Sequence, residues 1–376
     1  MTVRHAWLAF AALAACSAPA SRAPEETDAA ATTATSHPAA MSAATYANPV
    51  LDADFPDPTV LRAADGWYYV YGTQTAGASD TVNIQVARSR DLVAWERLGD
   101  ALPVKPAWAS ATQDFWAPHV AEHDGRFHLY YSARPDAAVR DTAQGLCLAV
   151  ATATRPDGPF VDRGQPLQCG PGFVNIDPMT FDDPRTGKRL LYWGSGFGPI
   201  KVQELAADRV SFAPGSTPVD LVHPVATDDS TDYRRLVEGA WVTYRAPYYY
   251  LFYSGDNCCG PRAHYAVLVA RSRSATGPFE SPATGGSVPT VANGGVVLER
   301  AGTWVAPGHN SVVRDAAGED WLVYHAVDSR RPRARPTDDV NTRRVMLIDR
   351  LVYRDGWPRV DGAGPSTGPR PRPQLR

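Results

Sequence analysis

The sequence predicts an all-β fold: a five-bladed β-propeller whose blades each hold about four antiparallel strands. Three observations carry this. One pattern occurs five times: a polar or aromatic leader, a short alternating strand, a tight turn, and a second strand ending in an aromatic plus small residues. The copies keep one internal register, and their period leaves room for two further strands each. Finally, 16 tyrosines and 10 tryptophans sit in short alternating runs broken up by 33 prolines and 30 glycines, which suits many short strands and few helices.

The first copy lies in DADFPDPTVLRAADGWYYVYGT, Asp52 to Thr73, where the leader Asp57 stands between Pro56 and Pro58. The others are WAPHVAEHDGRFHLYYSA from Trp116, DPMTFDDPRTGKRLLYWGS from Asp177, EGAWVTYRAPYYYLFYSG from Glu238 and HNSVVRDAAGEDWLVYHAV from His309. From leader to second-strand aromatic the distances are 14, 15, 16, 15 and 15 residues, ending at Tyr71, Tyr131, Trp193, Tyr253 and Tyr324. Third strands are expected at 84–89, 146–152, 265–272 and 343–349, and outer strands at WERLG, PFVDRG and GPFESP. A two-sheet sandwich would need no common register for five leaders. No Pro-free amphipathic run is long enough for a substantial helix.

In a propeller the first strand of each blade lies nearest the axis, so equivalent positions meet around one funnel. The leaders Asp57, Trp116, Asp177, Glu238 and His309 would therefore face one another although they span about 250 residues of chain. Purely structural leaders would be Ser, Asn or Gly, which end turns without a charge cost. The prolines around Asp57 fix the backbone that carries it.

A net charge of -3 gives no reason to expect nucleic acid or an anionic membrane surface as a partner. Arg4 and His5 precede AWLAFAALAAC, an apolar run too short to span a bilayer. It ends in Leu13-Ala14-Ala15-Cys16, which resembles a bacterial lipoprotein cleavage box. Residues 1–16 are thus expected to be a lipoprotein-type signal and 17–45 a disordered tether, followed by the propeller at 46–361 and a disordered tail at 362–376. The expected location is exported and membrane-anchored, periplasmic or at the cell surface, with the lipid as the sole membrane contact and the chain a monomer. Export permits disulfides, and Cys147 with Cys169 is a candidate pair. Cys258 and Cys259 either join each other or bond elsewhere.

DADFPDPTV, FWAPHV, NIDPMTF, VEGAWV, PGHNSVV and RRVMLIDRLVYRDGWP, in this order from about Asn48 to Val360, resemble glycoside hydrolase family 43. The resemblance implies a five-bladed propeller and an inverting glycosidase. By it, Asp57 matches the general base, Glu238 the general acid, and Asp177 a third carboxylate that tunes and orients the acid. Inversion needs one carboxylate to activate water and one protonated carboxyl to serve the leaving oxygen, about 6.5–9.5 Å apart. A third negative charge near Glu238 would favour its protonated form. Asp54 competes for the base role but lacks the flanking prolines, and Asp182 and Asp183 read as hairpin-turn residues.

The resemblance also makes Trp116 the platform beside the sugar, Arg344 a sugar-binding arginine with Arg343 as its neighbour in register, and Ser195 a further substrate contact. It places a calcium or similar ion near His309, where a lone imidazole offers a hard cation little and waters would have to complete the shell, the alternative being a buried, hydrogen-bonded histidine. The substrate it implies is a plant polysaccharide or oligosaccharide, with the Gly308–Ser311 stretch and YSGDNCCG favouring α-L-arabinofuranosyl linkages. A β-xylosidase of the same family is the alternative, as is a carbohydrate-binding lipoprotein without catalysis. The basic loop 328–342 either contacts an acidic pectic backbone or is a solvated loop.

Overall fold

A computed structural model describes residues 45–76, 81–141, 143–194, 196–282 and 295–375. The signal, Cys16 and almost all of the tether lie outside them, as does Ser195. Five antiparallel sheets follow one another along the chain. Blade 1 comprises Thr59–Arg62, Tyr68–Gly72, Gln85–Ser89 and Trp95–Asp100. Blade 2 comprises Phe115–His123, Arg126–Ala133, Cys147–Ala153 and Val161–Asp162, with Gln168–Cys169 also paired to its third strand. Blade 3 comprises Met179–Asp182, Arg189–Trp193, Ile200–Glu204 and Val219–Val222. Blade 4 is Val237–Arg245, Tyr248–Asn257, His264–Ser272 and Val296–Leu298, and blade 5 is Trp304–Arg314, Asp320–Asp328, Arg344–Arg354 and Trp357–Val360. The single α-helix among the described residues is Asp136–Arg140.

The repeated aromatics explain why the sheets pack face to face. Tyr71, Tyr131, Trp193 and Tyr324 are fully buried and Tyr253 nearly so. Each large ring removes well over 100 Å² of surface from water, and such rings dominate the energetics of a core. Three of their hydroxyls find partners at the blade margins: Pro156 O, Asp162 and Asp349. The apolar clusters lie between neighbouring blades, one joining blades 1 and 2, another blades 3, 4 and 5, a third blades 5 and 1.

The ring closes without a shared sheet. Ser311 of blade 5 donates to Pro58 O and accepts from Val60 N–H of blade 1. The entering chain also runs along blade 5, where Phe55 N–H donates to Arg344 O and Asn48 bonds Ile348 O.

Two expectations need correction. Residues 362–376 are not a disordered tail over their described length. Ser366 is buried, its N–H donates to Asp349 and its carbonyl accepts from Trp304 Nε1, and Arg370–Pro371 pairs with Thr45–Tyr46. A segment without a core of its own is ordered here by the polar groups that blade 5 leaves to it. The outer strand of blade 4 is Val296–Leu298 and not GPFESP, which makes only a bridge at Glu280; its prolines offer no N–H to a ladder. In blade 3 the two further strands expected of each unit are IKVQE and VDLV, segments that the sequence reading does not single out. Cys147 and Cys169 form a disulfide, and Cys258 is joined to Cys259.

Candidate active site

Four leaders sit within two residues of the start of an innermost strand, His309 lies midway along Trp304–Arg314 where the pairing register shifts, and the backbone at these places has a common oddity. Asp57, Ala117, Asp177, Gly239 and His309 all have left-handed φ, between 47° and 61°. Trp116 and Glu238 therefore stand one residue before the position that Asp57, Asp177 and His309 occupy. Left-handed φ strains a non-glycine residue, so the turn must be held from outside.

It is held by the preceding blade. The N–H of Ala117 donates to Thr73 Oγ1 at 2.8 Å, that of Asp177 to Ser132 Oγ at 3.1 Å, and that of His309 to Ser254 Oγ at 2.7 Å. Asp57 N–H donates to His325 Nδ1 at 3.1 Å. Each acceptor comes just after the buried aromatic of the second strand. A small hydroxyl residue at the end of three repeats, and a histidine at the end of the fifth, are thus the stitches of a ring. In blade 4 the stitch differs, since Gly239 N–H donates to Asp177 Oδ2 at 2.9 Å. One of the predicted carboxylates thereby fixes the residue next to another.

Asp57 is buried among donors. Arg344 Nη1 reaches its Oδ1 at 3.2 Å and Thr73 Oγ1 donates to its Oδ2. The Nδ1 atoms of His309 and His325 lie 3.3 and 3.4 Å from Oδ1. Burial acts to raise this carboxyl, but Arg344 and the two imidazoles outweigh it and hold it well below its ordinary range. Burial in turn lowers His309, and lowers His325 to about 4, so at neutral pH Arg344 supplies the standing positive charge. Asp177 has the opposite surroundings. Burial, then the facing charges of Glu238 and Asp57, push it well above its ordinary value. Such a group of carboxyls retains a proton that a solvated set would lose.

The remaining predicted residues are placed as follows. Trp116 is half-buried, its ring parallel to that of Phe173 at a centroid distance of 6.0 Å. Arg343 is tied to Asp52 at 2.6 Å, while it is Arg344 that reaches Asp57. Asp54 accepts the N–H of Arg344 at 2.9 Å, which occupies it as a backbone anchor. Asp182 binds Arg209, and Asp183 binds Thr186 and Tyr249. In loop 328–342, Arg330 and Arg331 pair with Asp328, and Arg335 pairs with Asp338, so much of its positive charge is neutralised locally. His309 turns Nδ1 toward Asp57 and Asp177, and among the described residues no three His, Cys, Asp or Glu side chains could hold a metal together. Thr73, His325 and Tyr265, which donates to Glu238, were missed by sequence reasoning. Aligning the ends of the five second strands would have exposed the first two.

Residues 46–358 match the family model of glycosyl hydrolases family 43. An extracellular exo-α-(1→5)-L-arabinofuranosidase of Cellvibrio japonicus is 27% identical over 82% of this chain and 86% of its own. A probable arabinan endo-1,5-α-L-arabinosidase of Emericella nidulans is 30% identical over 80% of this chain and 79% of its own. Among solved structures, a thermostable family-43 glycoside hydrolase superposes with a TM-score of 0.69 at 28% identity, covering 88% of this chain and all of that one.

Proposed function

The chain belongs to glycosyl hydrolases family 43, and from that membership we propose that it is an inverting glycosidase cleaving α-L-arabinofuranosyl linkages in arabinan or related plant polysaccharides. The observation that carries the reading is the meeting of Asp57, Asp177 and Glu238 at one end of the ring. Asp57 is held ionised there, and Asp177 is driven toward its protonated form. The similar relatives, whose names specify arabinan or arabinofuranosyl linkages, support the choice of sugar.

Each side chain then has a task. Asp57, ionised beside Arg344, takes a proton from water as the water oxygen bonds to the anomeric carbon. The glycosidic C–O bond breaks on the opposite face, and Glu238 gives its proton to the departing oxygen. General acid and general base each contribute about 10²–10⁴-fold in rate. Asp177 fixes Gly239 and so the backbone of Glu238, and because two facing buried carboxyls cannot both ionise cheaply, the Asp177–Glu238 pair keeps a proton between them. Trp116 offers a flat apolar face to the sugar. Solvent returns the proton from Asp57 to Glu238 after products leave.

Supplying α-L-arabino-oligosaccharides and β-D-xylo-oligosaccharides side by side, with products separated by size, tests the substrate. Release from the arabinosyl series is expected, and cleavage confined to the xylosyl series would overturn the assignment. We extend the reading to location. Export through residues 1–16 with lipidation at Cys16 is supported by the short apolar run before that cysteine and by relatives named as extracellular. Cys16→Ser should move the protein from the membrane fraction to the soluble one.

A further inference from the structure

Tyr265 has no task in that mechanism, yet it is in direct contact with Glu238. It stands near the start of the third strand of blade 4, is 1% exposed, and donates its phenol to Glu238 Oε1 at 2.6 Å. Its ring is confined by two neighbours. The imidazole of His325 lies parallel to it, 6° between planes and 5.8 Å between centroids. Gly308 makes room for it, because a Cβ at that position would lie 2.0 Å from a ring carbon. His325 is itself fully buried, and its Nδ1 accepts the Asp57 N–H at 3.1 Å. A continuous line of contacts thus runs from Glu238 through two stacked rings to the backbone of Asp57.

We propose that Tyr265 is a positioning residue for the general acid, and that the Tyr265–His325 stack is the spacer that sets the acid against the base. The inference rests on the roles given above to Glu238 and Asp57. The terminal torsion of a glutamate is broad, whereas proton delivery needs one oxygen aimed at the glycosidic oxygen. A phenol donating to Oε1 makes that oxygen the acceptor and leaves the acid proton on Oε2. Burial first, then the charges of Glu238 and Asp177, push the phenol far above its ordinary value, so it stays a donor wherever the enzyme works. Two flat, buried rings transmit a displacement instead of absorbing it. Inversion also requires a definite gap between the two carboxyl groups, wide enough for water and sugar. During turnover the Oε2–H bond breaks as the leaving hydroxyl forms, Asp57 takes the proton of water, and Tyr265 keeps its own proton throughout.

The test compares two substrates in the full-length protein. One is an arabino-oligosaccharide, whose sugar leaving group needs an acid. The other is the same oligosaccharide carrying dinitrophenol at the scissile position, which needs none. Tyr265→Phe removes one oxygen and keeps the ring. Its kcat should fall roughly 10- to 100-fold on the sugar leaving group, as expected for a misaimed catalytic group, and less than about 3-fold on dinitrophenol. Gly308→Ala, which displaces the ring while keeping its hydroxyl, should show the same split. Equal losses on both substrates, or no loss on either, would overturn the positioning role. Glu238→Gln separates the two readings. If it shows the split and Tyr265→Phe does not, the spacer alone is wrong; if it shows none, the acid is misassigned and the spacer goes with it.

Discussion

Asp57 and Asp177 occupy equivalent places in blades 1 and 3. Both are buried, both have φ of 58°, both precede a proline, and both stand two residues before an innermost strand. Their ionisation is nevertheless driven in opposite directions, Asp57 down and Asp177 up. The difference is made elsewhere in the ring. Blade 5 brings His309, His325 and Arg344 to Asp57, while blade 4 brings Glu238 to Asp177. A repeat supplies the position, and the neighbouring blades decide whether it holds a base or a proton.

Removing the base should have the largest effect. Asp57→Asn is expected to lower kcat by about 10³-fold or more with the fold intact, measured on arabino-oligosaccharides alongside circular dichroism. A variant with full activity would end its claim to the role.

Arg344 comes next. It opposes the effect of burial on Asp57, so in Arg344→Ala the Asp57 carboxyl should rise. The acid limb of the rate profile should then move to higher pH, and turnover should drop about 10²-fold as the charge and sugar contact disappear. Arg343→Ala, which removes only the tie to Asp52, should leave the profile where it was. Similar shifts in both variants would show that the comparison draws the wrong arginine into the site.

Stability should separate the two aspartates more gently. A depressed carboxyl contributes stability that is present above its unfolded value and lost as pH falls through the folded one. Asp57→Asn should therefore destabilise by about 2 kcal/mol at neutral pH, since it leaves Arg344 poorly compensated, and the penalty should shrink in acid. A raised carboxyl behaves in reverse: its contribution is full below the unfolded value and lost as pH rises through the folded one. Asp177→Asn, whose amide oxygen can still accept the Gly239 N–H, should thus stabilise at neutral pH, with the gain vanishing below about pH 4. Urea titrations at two pH values would read both signs. Two variants of the same sign would erase the distinction.

Much of this was legible in the sequence because propellers encode themselves locally. The leader-to-aromatic spacing survives in every blade because each hairpin must bury one large ring between sheets. Strands such as IKVQE escaped notice because only two of its five residues are apolar, too few to stand out from the polar segments around them. The carboxylates were found through short motifs, but the slip of Trp116 and Glu238 relative to Ala117 and Gly239 was hidden, since only backbone dihedrals distinguish those positions. Thr73, His325 and Tyr265 lie in other strands or other blades from the carboxylates they touch. Ring closure brings them there, and no local pattern records it.

The opposed ionisation of the two aspartates is measured most directly by NMR titration of isotope-labelled carboxyl groups, with Asp57 and Asp177 assigned from the two Asn variants. The account requires Asp57 to stay charged below the ordinary carboxylate range and Asp177 to hold its proton above it. Coincident titrations, or the reverse order, would contradict it.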